Sequence, residues 1–248
     1  MISFFSGDDT ALLFRLFLSH ILTDFVLQPA KWSADKQANR HRSAYLYVHA
    51  LVAGLAAYAL AGHWLSVWII GVVGVTHGFI DWLKMHYGKS GSAVTVLLDQ
   101  FLHGLTIVFV WVFLTNNWNK SIRLVSLVFT DAGSMAILVG YTICTLPIGM
   151  IVGMATQRWQ QELANESGAS DTLIDAGKWI GIAERTLIFT FVLLSQYEAI
   201  GFLIAAKSLL RFREGEKGTK HSEYVLVGTL LSYGLAILVG LLTKLCFS

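Results

Sequence analysis

Residues 18–29 read LSHILTDFVLQP, an apolar segment that ends at a proline and carries a histidine and an aspartate four residues apart. In a helix, His20 and Asp24 lie on one face, one turn apart. Ionisable side chains in a membrane helix cost several kcal/mol unless they are paired, hydrated or bound to a metal. The segment therefore predicts a membrane helix that contributes to a buried polar site.

Three more apolar segments carry the same residue types: YLYVHALVAG (45–54), VTHGFIDWLK (75–84) and LLDQFLHGL (97–105). The ionisable side chains of the four segments that form this set are His20, Asp24, His49, His77, Asp81, Asp99 and His103. Histidine and aspartate are both metal-binding residue types. The set therefore predicts one metal site shared by four helices.

The composition predicts an all-α, polytopic transmembrane helical bundle. Of 248 residues, 55% are hydrophobic and 14% are charged, against about 25% charged in a soluble domain, and the mean hydropathy is +0.60. The apolar runs predict about eight spans, at 10–28, 44–62, 64–84, 94–115, 133–154, 177–195, 197–212 and 223–246. A net charge of +2 gives no reason to expect a nucleic-acid polymer as partner.

The distribution of lysine and arginine predicts the topology. The basic loops follow the first, third and seventh predicted spans, which places them in the cytoplasm and both termini outside. With about 1.5 Å of rise per residue, all seven site residues then fall in a band about 10–15 Å deep. We therefore expect the metal site in the cytoplasmic half of the membrane.

The chain divides into two predicted halves, 1–130 with the metal site and 131–248 with a cytoplasmic basic cluster. The polar residues of the second half that face the same side are Glu184, Arg185, Lys207 and Arg211. They predict a substrate-binding clamp for a phosphate or carboxylate, with lipid head groups and inter-helix ion pairs as the alternative partners. The GMIVG motif at 149–153 predicts close helix packing and is compatible with a homodimer.

Imidazole and carboxylate ligands together favour a divalent metal, Zn²⁺ first and Fe²⁺ or Mn²⁺ as alternatives. Two ions bridged by an aspartate, or one ion with Asp–His pairs around it, would both use the set. Ser19, Thr23, Thr76 and Gln100 are candidate donors to these ligands. A proton relay of His and Asp in a transporter, and purely structural polar packing, are the rival interpretations.

Several motifs together resemble an uncharacterised family of bacterial integral-membrane proteins, a domain of unknown function. The motifs are LSHILTDFVLQP, VHA, THGFID and LDQFLH, with ERTLIF and AAKSLLRF in the second half. The resemblance implies a multi-pass protein of the bacterial inner (plasma) membrane and supplies no activity. The HxxxD motif is also similar, more distantly, to membrane-bound metal-dependent hydrolases.

These observations predict an intramembrane metal-dependent hydrolase that acts from the cytoplasmic side. Its substrate would be small and anionic, or a phosphate-bearing lipid or nucleotide, and Asp24 and Asp99 are the candidate catalytic carboxylates. The absence of an HExxH motif disfavours a zinc protease. A metal-ion or proton-coupled transporter and a di-iron membrane oxygenase remain the alternatives.

Overall fold

The computed structural model describes residues 4–88, 92–167, 171–212 and 219–247, and the side chains of 158–176, 210–225 and 247 lie outside that description. Over these residues the fold is all-α and contains no strand, which confirms the predicted class. The helices are α1 (Gly7–Ile21), α2 (Ala30–Asn39), α3 (Ala44–Ala61), α4 (Trp68–Tyr87), α5 (Ala93–Thr115), α6 (Trp118–Thr130), α7 (Ala132–Thr145), α8 (Pro147–Ser167), α9 (Asp171–Leu193), α10 (Tyr197–Phe212) and α11 (Thr219–Lys244).

The prediction of about eight membrane spans is wrong for the described residues. Four stretches are long and apolar enough to cross a membrane: Ala44–Ala61, Ala93–Thr115, Ala132–Gln157 and Leu226–Lys244. A fifth is possible if the bent pair Gly7–Val26 and Ala30–Arg42 forms one broken span. The remaining predicted spans fall short because α4 and α9 carry charged residues and α10 has only 16 residues, when a span needs about 20.

The chain forms two compact units, Met1–Leu124 and Val125–Ser248. In the first unit, α1, α3, α4 and α5 pack around an apolar core. The buried members of this core are Leu12, Leu16, Ala57, Ala61, Ile69, Ile107, Val110, Trp111 and Val112. On each of the four helices, the core residues lie on one side of the predicted site residues along the helix axis.

The α3–α4 pair packs closely because glycines, which have no side chain, occupy the contact. A Cβ on Gly54 would lie 2.4 Å from the carbonyl oxygen of Ile70, and a Cβ on Gly74 would lie 3.1 Å from that of Ala50. Small residues of this kind allow helix backbones to approach each other inside a membrane. The close approach brings His49 of α3 and His77 of α4 to the same level.

The first helix does not continue to Gln28 as a regular helix. Residues Leu22–Val26 form a π-helical turn, and the N–H of Leu27 donates to the carbonyl of Leu22, five residues back, at 2.7 Å. Pro29, which has no N–H to donate, is the N-cap residue that immediately precedes α2. As a result α2 and the following turn, Ala30–Arg42, make an angle of 81° with Gly7–Val26.

The second unit has its own core, made by α7, α8, α9, α10 and α11. Its buried members are Cys144, Ile148, Ile188, Phe189, Val192, Ile200, Tyr233 and Ala236. Asp131 caps the N-terminus of α7 by accepting a hydrogen bond from the N–H of Ser134 at 2.8 Å.

Candidate metal centre

The seven predicted ligands lie in the first unit, on four helices that surround a common point. Each is buried or nearly so: His49 is 1% exposed, His77 is 3% exposed, and the Asp24 side chain is 10% exposed. Six of the seven belong to overlapping groups whose ligand atoms lie within 4.8 Å of one another. These groups are His20–Asp24–His103, Asp24–His49–His77 and His77–Asp81–His103.

Asp24 lies at the centre of the cluster because the π turn carries it. Such turns interrupt α-helices often at functional sites, since the added residue redirects a side chain. The Oδ1 atom of Asp24 lies 3.2 Å from His77 Nε2, 3.5 Å from His49 Nε2 and 3.7 Å from His20 Nδ1. His77 and His49 contact this oxygen at these distances, but no described donor meets it with the geometry of a hydrogen bond.

The distances around Asp24 are those expected of ligands that share one ion. A tetrahedral zinc ion with bonds of about 2.0–2.1 Å holds its ligand atoms about 3.3 Å apart. His77 Nε2 and His49 Nε2 lie 2.9 Å apart and share a hydrogen bond, which a bound ion would replace, and each is 3.2–3.5 Å from Asp24 Oδ1. The two imidazoles and the carboxylate therefore present three ligand atoms at tetrahedral spacing.

His103 has the tautomer of a metal ligand. Its Nδ1 lies 2.8 Å from the carbonyl oxygen of Asp99, and because a carbonyl only accepts, Nδ1 must carry the hydrogen. Nε2 therefore offers a lone pair, and it is buried with no hydrogen-bond partner among the described residues. Metal-binding histidines commonly donate their second N–H to a backbone carbonyl in this way.

The histidine rings also contact one another directly. The ring of His103 stacks on that of His20 with 4.8 Å between centroids and lies 4.3 Å from that of His77. A cavity of about 20 Å³ adjoins these three rings and is also lined by Thr23, Thr76 and Thr106. That volume is enough for about one water molecule.

Two lysines outside the predicted set of seven residues reach into the cluster. Lys36 of α2 is 5% exposed and pairs with Asp81 at 2.5 Å. Lys84 of α4 pairs with Asp99 at 2.7 Å. With neutral histidines, three carboxylates and two ammonium groups leave a net charge of −1, which a cation would balance.

Asp99 lies at the edge of the cluster. Its Oδ1 is 3.8 Å from His103 Nδ1. Asp99 belongs to none of the three ligand groups found among the described residues. Of the four candidate donors, Gln100 contacts the site. Its Oε1 accepts a hydrogen bond from His20 Nε2 at 3.1 Å, and its Nε2 donates to Asp99 Oδ2 at 3.2 Å. The candidate donors Ser19, Thr23 and Thr76 instead donate to backbone carbonyls of their own helices.

The predicted anion clamp lies in the second unit, where two of its cations contact protein groups. Arg185 donates to the carbonyls of Cys144 at 2.6 Å and Thr145 at 2.9 Å. Lys207 pairs with Glu184 at 2.6 Å. The side chain of Arg211 lies outside the described residues, and the substrate-binding role of the four residues stays a prediction.

The fold and the cluster define a helical membrane protein with a buried His/Asp centre. Residues 12–129, which include all seven site residues, match the family described as Protein of unknown function (DUF3307). The match confirms, for this half of the chain, the resemblance to an uncharacterised family. No curated protein and no solved structure matches the chain, so the more distant similarity to metal-dependent hydrolases has no named relative behind it.

Proposed function

We propose that this chain is a membrane-embedded, metal-dependent hydrolase. The supporting observation is the Asp24 carboxylate, which lies 3.2–3.7 Å from three histidine nitrogens, accepts no hydrogen bond from the described residues, and belongs to two of the ligand groups. Zn²⁺ suits this mixture of imidazole and carboxylate best, and Fe²⁺ or Mn²⁺ would be accepted by the same donors.

One or two ions fit the arrangement. Asp24 with His49 and His77 forms one ligand triad, and Asp24 with His20 and His103 forms a second. A carboxylate shared by two triads is the usual bridge of a two-metal site. Asp81 pairs with Lys36 through Oδ2, and since a carboxylate has two oxygens it could join as a further ligand with that ion pair in place.

Hydrolysis needs a water molecule and a group that accepts its proton. A bound metal ion lowers the pKa of its water toward neutrality, and the 20 Å³ cavity beside His20, His77 and His103 has room for such a water. Asp24 and Asp99 are the candidate bases, because each has one buried oxygen without a hydrogen-bond partner in the described part of the chain.

The position of the apolar core favours an enzyme over a transporter. Leu16, Ile69 and Val110 are at most 1% exposed and fill the bundle on one side of the cluster. A transporter needs a polar path on both sides of its site, whereas a hydrolase needs access from one side only. Access here would come from the side of Lys84, whose side chain is 38% exposed.

The substrate and location complete the proposal. The substrate would be anionic, a phosphate-bearing lipid or nucleotide, reached from the cytoplasmic side of the bacterial inner membrane. An orientation with the basic loops in the cytoplasm and both termini outside is part of this proposal.

Metal content tests the centre first. The full-length protein, purified in detergent, should carry one or two equivalents of a divalent metal by elemental analysis. The His77→Ala variant should lose it, and His63→Ala, which removes an exposed histidine outside the cluster, should retain it. A wild-type protein that neither carries nor takes up a divalent metal would refute the centre.

Isotope labelling then tests the reaction. The metal-loaded protein in nanodiscs of bacterial lipid extract should release a product that takes one oxygen atom from H₂¹⁸O. Incorporation from ¹⁸O₂ instead would indicate an oxygenase. Metal uptake into proteoliposomes without any product would indicate the transporter, and either result would overturn the hydrolase proposal.

A further inference from the structure

A groove on the outer face of the first unit lies between α3 and α4, away from the metal centre. Its volume is about 500 Å³, and its lining is apolar. The lining residues are Leu46, Tyr47, Ala50, Leu51, Ile70, Gly71, Gly74, Val75, Gly78, Phe79 and Trp82. We infer that this groove binds one acyl chain of an anionic membrane phospholipid, independently of the hydrolase activity proposed above.

Glycines create the groove by removing side chains from the outer surface of α4. A Cβ on Gly71 would meet no atom within 4 Å, so this position is open space rather than a helix contact. Large side chains form the rims: Val75 is 72% exposed and Phe79 is 58% exposed. The groove is therefore lined at its base by backbone atoms and along its sides by apolar side chains.

The length of the groove matches a lipid chain. The lining runs along α4 from Ile70 to Trp82, about 18 Å at 1.5 Å per residue. One leaflet of the hydrocarbon core is about 15 Å thick. The groove is therefore long enough for one acyl chain, with its head group at the Trp82 end.

Trp82 marks that end as the membrane interface. Its ring stacks on Phe79 at 5.7 Å and on His86 at 5.4 Å. Tryptophan is enriched at the level of lipid head groups. The head group of the bound lipid would therefore lie at the Trp82 end of the groove.

A cationic turn adjoins the same end of the groove. The 3₁₀ turn Arg40–Arg42 precedes α3, and the groove residue Tyr47 donates a hydrogen bond to the carbonyl of His41 at 2.9 Å. Arg40 has φ 49°, a conformation that costs free energy for a residue other than glycine. The arginines of this turn are exposed, and they are charge-complementary to a phosphate group.

The acidic residue closest in sequence does not offset this charge by pairing with the arginines. Both carboxylate oxygens of Asp35 accept hydrogen bonds, one from Asn39 at 2.8 Å and the other from Ser43 at 2.5 Å. The turn therefore offers two guanidinium groups, and this favours phosphatidylglycerol over a zwitterionic lipid.

Native mass spectrometry of the full-length protein, released from nanodiscs of equal phosphatidylglycerol and phosphatidylcholine, tests the inference. The wild type should retain one phospholipid with about tenfold preference for phosphatidylglycerol. The Arg40→Gly/Arg42→Gln variant, in which Gly accommodates φ 49° and ψ −125°, should lose the preference. Lys120→Gln, which removes a cation elsewhere in the unit, should keep it.

Filling the groove tests the acyl chain separately. Gly71→Leu should reduce the retained lipid about tenfold for either head group. Gly201→Leu, at an exposed and equally open glycine of α10, should retain lipid like the wild type. Equal retention of the two lipids by the wild type, or undiminished retention by a folded Gly71→Leu protein, would overturn the inference. Should Gly71→Leu fail to fold, the wild-type preference and the arginine variant still decide it.

Discussion

Both units of the chain bury charged side chains, and the units differ in what those side chains contact. In the second unit, Arg185 donates to two backbone carbonyls and Lys207 pairs with Glu184. In the first unit, Asp24 and four histidines face one another, and Asp24 Oδ1 and His103 Nε2 have no hydrogen-bond partner among the described residues. The charged side chains named in the second unit have protein partners, whereas the cluster in the first unit lacks a cation or a proton donor.

The contacts of Arg185 follow from the end of α7. The helix ends at Thr145, so its last carbonyls have no donor within α7, and the guanidinium group donates to those of Cys144 and Thr145. Glycines make room for the side chain: a Cβ on Gly181 would lie 2.9 Å from Nη1 of Arg185. A buried cation with this role stabilises the fold, and no ligand is needed to explain it.

The cluster in the first unit has no comparable backbone role. Lys36 and Lys84 each neutralise one carboxylate, and Asp24 remains the carboxylate without a lysine partner among the described residues. A buried, uncompensated carboxylate is costly. Its presence beside four histidines is explained if a metal ion, or a proton on one of the histidines, compensates it, and the metal-binding experiments below distinguish the two.

The largest expected effect on metal binding comes from removing the negative charge of Asp24. Asp24→Asn should lower metal affinity by more than about 100-fold, since outer contacts alone are worth 10–100-fold. Without metal the variant should be at least as stable as the wild type, because the buried net charge is gone. Calorimetric metal titration and melting curves in chelator measure the two effects.

Glu184→Gln is the matched change in the second unit. It converts a carboxylate paired with Lys207 to an amide, so it should lower stability and leave metal affinity unchanged. If the two variants behaved alike in metal binding, the contrast between the units would be false.

The Lys36–Asp81 pair gives the next largest effect. Lys36→Met should destabilise the metal-free protein by about 3–5 kcal/mol, because it leaves Asp81 buried and unpaired. Added metal should recover part of this loss, since a bound cation would compensate the unpaired Asp81 carboxylate. Melting temperatures with and without Zn²⁺ measure both changes.

A double variant controls for lost packing. Lys36→Met/Asp81→Leu removes both charges, and its stability in chelator should return to within about 1 kcal/mol of the wild type. A double variant as unstable as Lys36→Met alone would show that packing, rather than charge, explains the loss.

Arg185→Met tests the structural role in the second unit. Two carbonyls would lose their donor, which should cost about 2–4 kcal/mol, while the metal content of the first unit should not change. Arg185→Lys should recover only part of the stability, because an ammonium group lacks the planar fork of a guanidinium. Loss of metal on Arg185→Met in a folded protein would contradict the separation of the two roles.

The sequence was sufficient to predict the histidines of the centre because helical periodicity determines which residues share a face. His20 and Asp24, and likewise His77 and Asp81, are one turn apart in any helix, and an apolar setting makes them conspicuous. The all-α class followed from the same apolar runs. These predictions depend only on local geometry.

The lysine partner of Asp81 could not be predicted, because its position depends on the break after the π turn. The 81° bend at Pro29 brings α2 back to the bundle and places Lys36 against Asp81, 45 residues away in sequence. Lys84 had a local signal, since it lies three residues after Asp81 on α4, but its partner Asp99 is on another helix. The number of spans was overestimated because hydropathy alone does not exclude short or charged helices such as α10 and α9.

Gln100 gives the smallest expected effect and tests how closely the centre is organised. Its Oε1 holds His20 Nε2 at 3.1 Å, which leaves Nδ1 of that ring directed at Asp24. Gln100→Ala should weaken metal binding by about tenfold, as expected for an outer contact that orients a ligand. Gln37→Ala, at an exposed position on α2, should have no effect. Equal metal affinity in Gln100→Ala and the wild type would show that His20 does not depend on this contact, and would leave the His49–His77 triad as the ligands that determine affinity.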